Sequence, residues 1–312
     1  MKQINQFITE YIVKKKLDKP IDSENYYEYY PKTKQELIEN INQLIKKNIY
    51  DFNCIDTSKI TDMSYLFKNI LLPHNDKIYF NKWDVSNVKD MSYMFANCYY
   101  INPDLSCWDI SKVENMEFMF NYCTNFKGKG LENWDVSNIK DMESVFYRCS
   151  NFNCDLSDWD VSKVINMKHM FGYCKNFTGK GIEKWDVSNV EDMGYIFDNC
   201  CSFDCDLSKW NVSNVKNMSY MFNNCEKFDC DLSNWNVSKI IDTSTMFYEC
   251  LNFTGKGLDK WKLRSIKNMN YMFCGCEKLD CDLSKWNINK NVSMKKTLKD
   301  CNLKNKPSWY KE

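Results

Sequence analysis

The chain has 312 residues, with 42 Lys plus Arg balanced by 42 Asp plus Glu. A net charge of zero argues against a general nucleic-acid or anionic-membrane surface, so no nucleic-acid partner is expected. Apolar runs never reach the roughly eighteen residues that a membrane-spanning helix needs, so no transmembrane segment is expected either.

From Met1 to Leu17 the chain is broken up by Lys, Gln, Asn and Glu and shows no apolar core of a signal peptide. The expectation from the sequence as written is a cytoplasmic protein. Residues 1–50 read as an N-terminal helical cap. Ile4, Phe7, Ile8, Tyr11 and Ile12 recur at helical spacing and predict a helix over about 2–16, which Pro20 ends. Thr33 followed by Glu36 is a capping box, in which each side chain satisfies a free backbone N–H of the other residue. It opens a second predicted helix running to about Lys47, with Leu37, Ile41, Leu44 and Ile45 on one face.

Residues 51–301 are repetitive. Tryptophan stands at Trp83, Trp108, Trp134, Trp159, Trp185, Trp210, Trp235, Trp261 and Trp286, and fifteen residues after each comes a cysteine, Cys98 through Cys301. A degenerate copy from Ile55 to Ile70 makes ten coils. Such a period is the signature of a solenoid, in which each coil contacts only its neighbours. Positions are numbered here from the Trp. Apolar residues at +8, +11, +12 and +15 predict a short helix, and the Asp or Asn at +7 (Ser293 in the last coil) would cap it. The segment from −5 to +2 predicts a brief strand pairing in parallel between coils. Three coils are one residue longer and carry Gly128-Lys129-Gly130, Gly179-Lys180-Gly181 and Gly255-Lys256-Gly257, where glycine permits a left-handed turn. In the last coil Thr297 and Leu298 replace Met and Phe, and residues 302–312 read as a C-terminal cap with Leu303 and Trp309 folding back. The predicted fold is an α/β repeat solenoid of short strand plus short helix with an N-terminal helical cap.

The stretch Asp155 to Cys174, D-L-S-D-W-D-V-S-K-V-I-N-M-K-H-M-F-G-Y-C, resembles the BspA-type leucine-rich-repeat proteins of bacteria. The resemblance covers about residues 51–301. It implies right-handed, leucine-rich-repeat-like coils, a non-enzymatic role, and cell-surface or secreted adhesion or host-protein binding for exported members. That family has no shared catalytic residues to carry over.

Most of the seventeen cysteines follow the repeat, so they read as reduced, buried, weakly donating side chains rather than as disulfides or a metal site. Their spacings lack the paired C-x2-C units of zinc sites, and Gly-Lys-Gly lacks the longer pattern of a P-loop. The histidines, His74 and His169, have no evident nucleophile to activate, so no catalytic residue, metal or cofactor is expected. The +1 column, Asp56, Asp84, Asp109, Asp135, Asp160 and Asp186 followed by Asn211, Asn236, Lys262 and Asn287, reads as a ladder of Asx-turns; a calcium site built from stacked carboxylates is the alternative. The +10 column, Tyr65, Tyr93, Phe118, His169, Tyr195, Tyr220 and Tyr271, is the candidate binding surface, because Tyr offers large area at low entropic cost. The functional expectation is a non-enzymatic module that binds another protein, by interaction or adhesion. The alternative is a structural scaffold or spacer that self-associates.

Overall fold

The computed structural model describes residues 27–72 and 78–310. The helix predicted over 2–16, Pro20 and His74 all lie outside the described residues.

Helix α1 spans Lys34–Lys46 and starts as the sequence predicts. The Glu36 amide donates to the Thr33 hydroxyl at 3.2 Å, and the Thr33 amide donates back to the Glu36 carboxylate at 3.3 Å. Its inward residues Leu37, Ile41 and Leu44 are buried in the same continuous core as Phe52, Ile55 and Met63 of the first coil. The Lys34 ammonium adds a polar clasp, 3.0 Å from the Asp62 carboxylate and 2.6 Å from the Ser64 hydroxyl.

The coils are a solenoid, but the short helix predicted in each one is absent from the described residues. In the coil of Trp210, the amides of Met218, Tyr220, Phe222 and Asn224 donate to the next coil, to the carbonyls of Asp242, Ser244, Met246 and Tyr248 at 2.8–2.9 Å. The amides between them turn back locally. Ser219 donates to the Asn217 side chain, and Met221, Asn223 and Cys225 donate to the carbonyls three residues before them. An α-helix needs each amide for the carbonyl four residues back, and here none is left over for it. The path is instead a run of tight turns, with Tyr220 at φ 57° and Asn224 at φ 54° in the left-handed region. The same two positions, +10 and +14, are left-handed in all ten coils. Asp or Asn at +7 acts as predicted on a nearby amide, but it opens an Asx-turn and not a helix.

The predicted strand is also displaced. Parallel bridges join single residues at +7 in most coils, as in Asp192 to Asn217 to Asp242 to Asn268, and among the described residues those between −5 and +2 occur only at the first coil, Asp51 to Tyr79 and Tyr29 to Ile55. The described helical elements are α1 and three 3₁₀ turns, Leu131–Asn133, Ile182–Lys184 and Leu258–Lys260, each directly after a Gly-Lys-Gly. The architecture is therefore a solenoid made mainly of turns.

Side-chain columns fill it. Phe222 stacks on Phe228 of its own turn at 3.9 Å and on Phe247 of the next coil at 5.6 Å. Each Trp from Trp83 to Trp286 is buried and donates its indole N–H to the −3 carbonyl of the preceding coil, Trp210 to Ile182 at 2.9 Å. Each Cys at +15 from Cys98 to Cys276 donates its thiol to the +12 carbonyl of the preceding coil, Cys250 to Phe222 at 2.8 Å. That carbonyl also accepts the Cys225 amide, so the thiol fills its second lone pair. All cysteines are free, and burial holds the Cys225 thiol far above its ordinary pKa. Trp309 extends the Trp column past the last coil. It lies 5.8 Å from Trp286 at 11° and donates to the Leu283 carbonyl.

Gly-Lys-Gly is a turn, as predicted. Gly179 and Gly181 have φ of 85° and 91°, and a Cβ on Gly181 would lie 2.4 Å from the Ser157 backbone nitrogen. Lys180 pairs with Asp155 of the preceding coil at 3.0 Å.

Two substitutions test this packing. Gly181→Ala combines a left-handed residue with a backbone clash and is expected to lower stability by about 2–4 kcal/mol; denaturant unfolding monitored by Trp fluorescence measures it. Cys225→Ala removes a buried sulfur and one donor and is expected to cost about 1–2 kcal/mol, in the same assay.

Candidate binding surface

The +10 residue of each coil sits at the left-handed position of a turn, which swings its side chain away from the buried +8, +11 and +12 residues. Glycine and asparagine suit such a position; a bulky side chain there costs on the order of 1 kcal/mol or more. The +14 position follows the easy chemistry in five coils, with Asn69, Asn97, Asn199, Asn224 and Gly275, and departs from it in the other five, with Tyr122, Arg148, Tyr173, Glu249 and Asp300. At +10 the chain places rings instead: Tyr65, Tyr93, Phe118, His169, Tyr195, Tyr220 and Tyr271 have φ between 55° and 61°.

These rings form three groups. Tyr65, Tyr93 and Phe118 stack at 4.7 and 4.6 Å, and His169, Tyr195 and Tyr220 stack at 4.3 Å each. Ser144 and Thr245 occupy the column between the groups, leaving Tyr271 apart. Stacked pairs contribute about 0.5–1.5 kcal/mol each, which offsets much of the backbone cost. Tyr65 is 51% exposed, and the other rings are half-buried. Cations of the chain lie on both ends of the column, Lys68 at 4.4 Å over Tyr93 and Lys296 at 5.7 Å over Tyr271.

A second cluster, which the sequence reading missed, adjoins the middle group. Tyr147 meets His169 edge-on at 5.2 Å and is flanked by Tyr122 and Tyr173. The Arg148 guanidinium lies over the rings of Tyr122, Tyr147 and Tyr173 at 4.9, 5.5 and 4.5 Å. Gly172 leaves the space that the Tyr147 ring fills, since a Cβ there would lie 3.0 Å from that ring. Two coils further along, Asp198 is 4% exposed and accepts from Asn223 at 2.7 Å and Asn199 at 2.6 Å. Burial raises its carboxyl pKa, and the hydrogen bonds of Asn223 and Asn199 oppose that shift. Three buried polar atoms without a partner, Arg148 Nε, His169 Nδ1 and Asn223 Oδ1, belong to this part of the rod. One signal in the sequence could have found the cluster: Arg148 is one of two arginines in a chain that otherwise uses lysine.

Elsewhere the candidate chemistry resolves into turns. The +1 carboxylates and amides accept from the Ser amide two residues on, Asp84 from Ser86 and Asn211 from Ser213 at 3.0 and 3.2 Å. Among the described residues no group of three or more His, Cys, Asp or Glu is arranged to hold a metal ion.

The family model described as "Mycoplasma protein of unknown function, DUF285" matches residues 35–157, 122–229, 167–257 and 225–309. The chain belongs to that family. Its overlapping matches slide along the coils, as a repeat allows. The resemblance to BspA-type repeats rests on the sequence motif alone. No curated protein matches the chain. Among solved structures it is similar to a chain of the "Crystal structure of TLR13-ssRNA13 complex", at 13% identity and a TM-score of 0.23, over 82% of this chain and 55% of that one. The solenoid architecture rests on the inter-coil hydrogen bonds described above.

His169 gives the surface a pH signature. Burial, followed by the neighbouring Lys168, pushes its pKa down to about 4 from 6.5. Between those values the unfolded chain binds the proton and the folded chain does not. Stability from this residue is therefore full above pH 6.5 and is lost as the pH falls toward 4. Replacing His169 with Phe, the residue type at the +10 position of Phe118, is expected to flatten that slope; chemical unfolding at pH 7, 5.5 and 4.5 checks it.

Proposed function

We propose that this chain is a non-enzymatic binding module that holds another protein against the aromatic column at +10 and the adjoining Tyr147–Arg148–Tyr173 cluster. One observation carries the reading. Bulky rings occupy seven of the ten +10 positions, a left-handed backbone site that favours glycine or asparagine, and at +14 three consecutive coils set Tyr122, Arg148 and Tyr173 at the same kind of site. Local folding alone therefore does not account for the rings, and Tyr with Arg is the pair that most often anchors protein interfaces. The resident cations over Tyr93 and over the Tyr122–Tyr173 group show what the rings can hold, namely positively charged or planar groups.

His169 is kept neutral between two Tyr rings, which suits packing against a partner. No helix among the described residues is long and apolar enough to cross a membrane.

Serine and threonine already stand at +10 in two coils, so Tyr→Ser at this position leaves the backbone path available. The triple variant Tyr93→Ser/Tyr195→Ser/Tyr220→Ser is expected to keep the far-UV spectrum of the native chain. It is also expected to lose at least tenfold in affinity for a partner recovered by chemical cross-linking, since interface Tyr truncations commonly cost about 2 kcal/mol or more each. Unchanged affinity by calorimetry in a folded variant would reject the aromatic column as the binding face.

A further inference from the structure

From −1 to +6 most coils set buried residues at 0, +2 and +5 among exposed ones. Charge is spread unevenly along this side of the rod. In the five coils from Trp83 to Trp185, these positions hold six lysines against eight Asp or Glu. In the last four coils, residues 209–216, 234–241, 260–267 and 285–292, they hold nine Lys or Arg and no Asp or Glu. All nine are exposed. A chain of zero net charge therefore carries a strongly cationic face toward its C-terminal end.

The break from the repeat is sharpest in the coil of Trp261. Every other coil has Asp or Asn at +1, and the first eight have Ser at +3; here Lys262 and Arg264 take those places. The Asx-turn goes with the change, and the Arg264 amide donates instead to the Lys262 carbonyl at 2.9 Å. Lys262 and Arg264 line a groove of about 470 Å³ with Lys285, Asn287 and Asn289 of the next coil, over the buried Trp261 and Leu263. Elsewhere the chain partners its lysines, as in Lys89 with Glu114 at 3.2 Å, Lys180 with Asp155 at 3.0 Å and Lys216 with Glu191 at 2.7 Å. Lys262, Arg264 and Lys285 form no ion pair among the described residues. Asp282 senses the charge of Lys285, but its carboxylate accepts from the Ser284 amide at 2.9 Å. Like charges at neighbouring positions repel. The same turn folds with Asp and Ser in six other coils, so packing does not call for cations here.

We propose that this cationic face binds an acidic polypeptide segment of a partner protein, seated in the Lys262–Arg264–Lys285 groove. The planar Arg264 guanidinium takes one carboxylate in a two-point grip. Lys262 and Lys285 neutralise its neighbours, and the Asn287 and Asn289 side chains meet the segment's peptide groups. A flexible chain suits the shape better than a bilayer does. In the coils of Trp83 to Trp134, positions +3, +4 and +6 line a separate groove. By register, Lys239 and Lys267 face its continuation, and one flat surface does not reach both grooves. A single-stranded nucleic acid gains much of its affinity by stacking bases on aromatic faces, and the Trp of each of these four coils is buried. The site is separate from the aromatic column.

The test is fluorescence anisotropy with a fluorescein-labelled twelve-residue peptide alternating Glu and Gly, titrated with the full chain. Saturable binding that weakens with added NaCl is expected. The variant Lys262→Asp/Arg264→Ser restores the residues of six other coils, so its denaturant midpoint should equal or exceed that of the native chain while its peptide affinity falls at least tenfold. Lys285→Asn, the residue type at −1 in Asn133 and Asn234, should weaken binding severalfold by itself. The +10 triple Ser variant should bind the peptide as the native chain does. The proposal is overturned if no saturable binding occurs, or if either groove variant binds as well as the native chain. Tighter binding of polyphosphate of equal charge, or of vesicles of phosphatidylglycerol and phosphatidylcholine, would overturn it in favour of a phosphate-bearing partner. Loss of peptide binding in the triple Ser variant would also overturn it, by moving the peptide to the aromatic column, and would leave the reading of that column standing.

Discussion

The allocation of alternate amides is the constraint on which this rod depends. In the turn runs before the last coil every second N–H, Met116 apart, leaves the coil for the next one, and the N–H groups between are satisfied within three residues. Buried backbone donors must be paired, so this division decides the rest. It forces left-handed residues at +10 and +14, and it brings like residues of neighbouring coils into register. The Phe and Trp columns are the consequence, with parallel rings at centroid distances such as 5.6 Å for Phe247–Phe273 and 6.2 Å for Trp261–Trp286. Little of the fold's stability can come from helix or strand propensity. It comes from apolar burial repeated coil after coil and from side-chain donors that complete the backbone pairing.

The sequence shows the period, the boundaries of the coils and nearly every buried position. Trp210, Val212, Val215, Met218, Met221, Phe222, Cys225 and Phe228 are all buried, as their spacing predicts. It misleads about the local path. Apolar residues at +8, +11, +12 and +15 describe one face of a helix, but they equally describe the inward corners of successive turns. Asp or Asn at +7 does not separate the two, because the same side chain caps a helix or opens an Asx-turn. The better signal was +14, where Asn and Gly recur in a place that a helix would leave to good helix formers. The strand was misplaced for a related reason. The turn-rich −5 to +2 segment holds the largest side chain and bridges only around the first coil, while most bridges are made by a single polar residue at +7 with no strand-like pattern around it.

The candidate surface was legible in part. The aromatic column could be read from its spacing, and its outward position follows from lying between buried +8 and +11 residues. The left-handed backbone beneath it could not be read, and that backbone makes the rings informative. The Arg148 cluster was hidden because its members fall in two columns whose other coils carry unlike residues, Tyr122, Arg148 and Tyr173 at +14 and Tyr147 and Asp198 at +13. Only stacking brings them together. The +15 cysteines from Cys98 to Cys276 are small and buried, as their column predicts, while Cys107 is exposed. The +15 thiol as the second donor to the Phe carbonyl is a geometric fact that spacing alone does not contain.

The indole column has an optical consequence. Trp235 and Trp261, and then Trp261, Trp286 and Trp309, lie nearly parallel at centroid separations of 5.8–6.3 Å. Chromophores that close share their excited states, so light absorbed by one ring is delocalised over its neighbours with a handed twist set by the solenoid. Near-ultraviolet dichroism of this chain therefore reports the alignment of one coil on the next. The molecule carries its own gauge of stacking along the axis on which its stability is built.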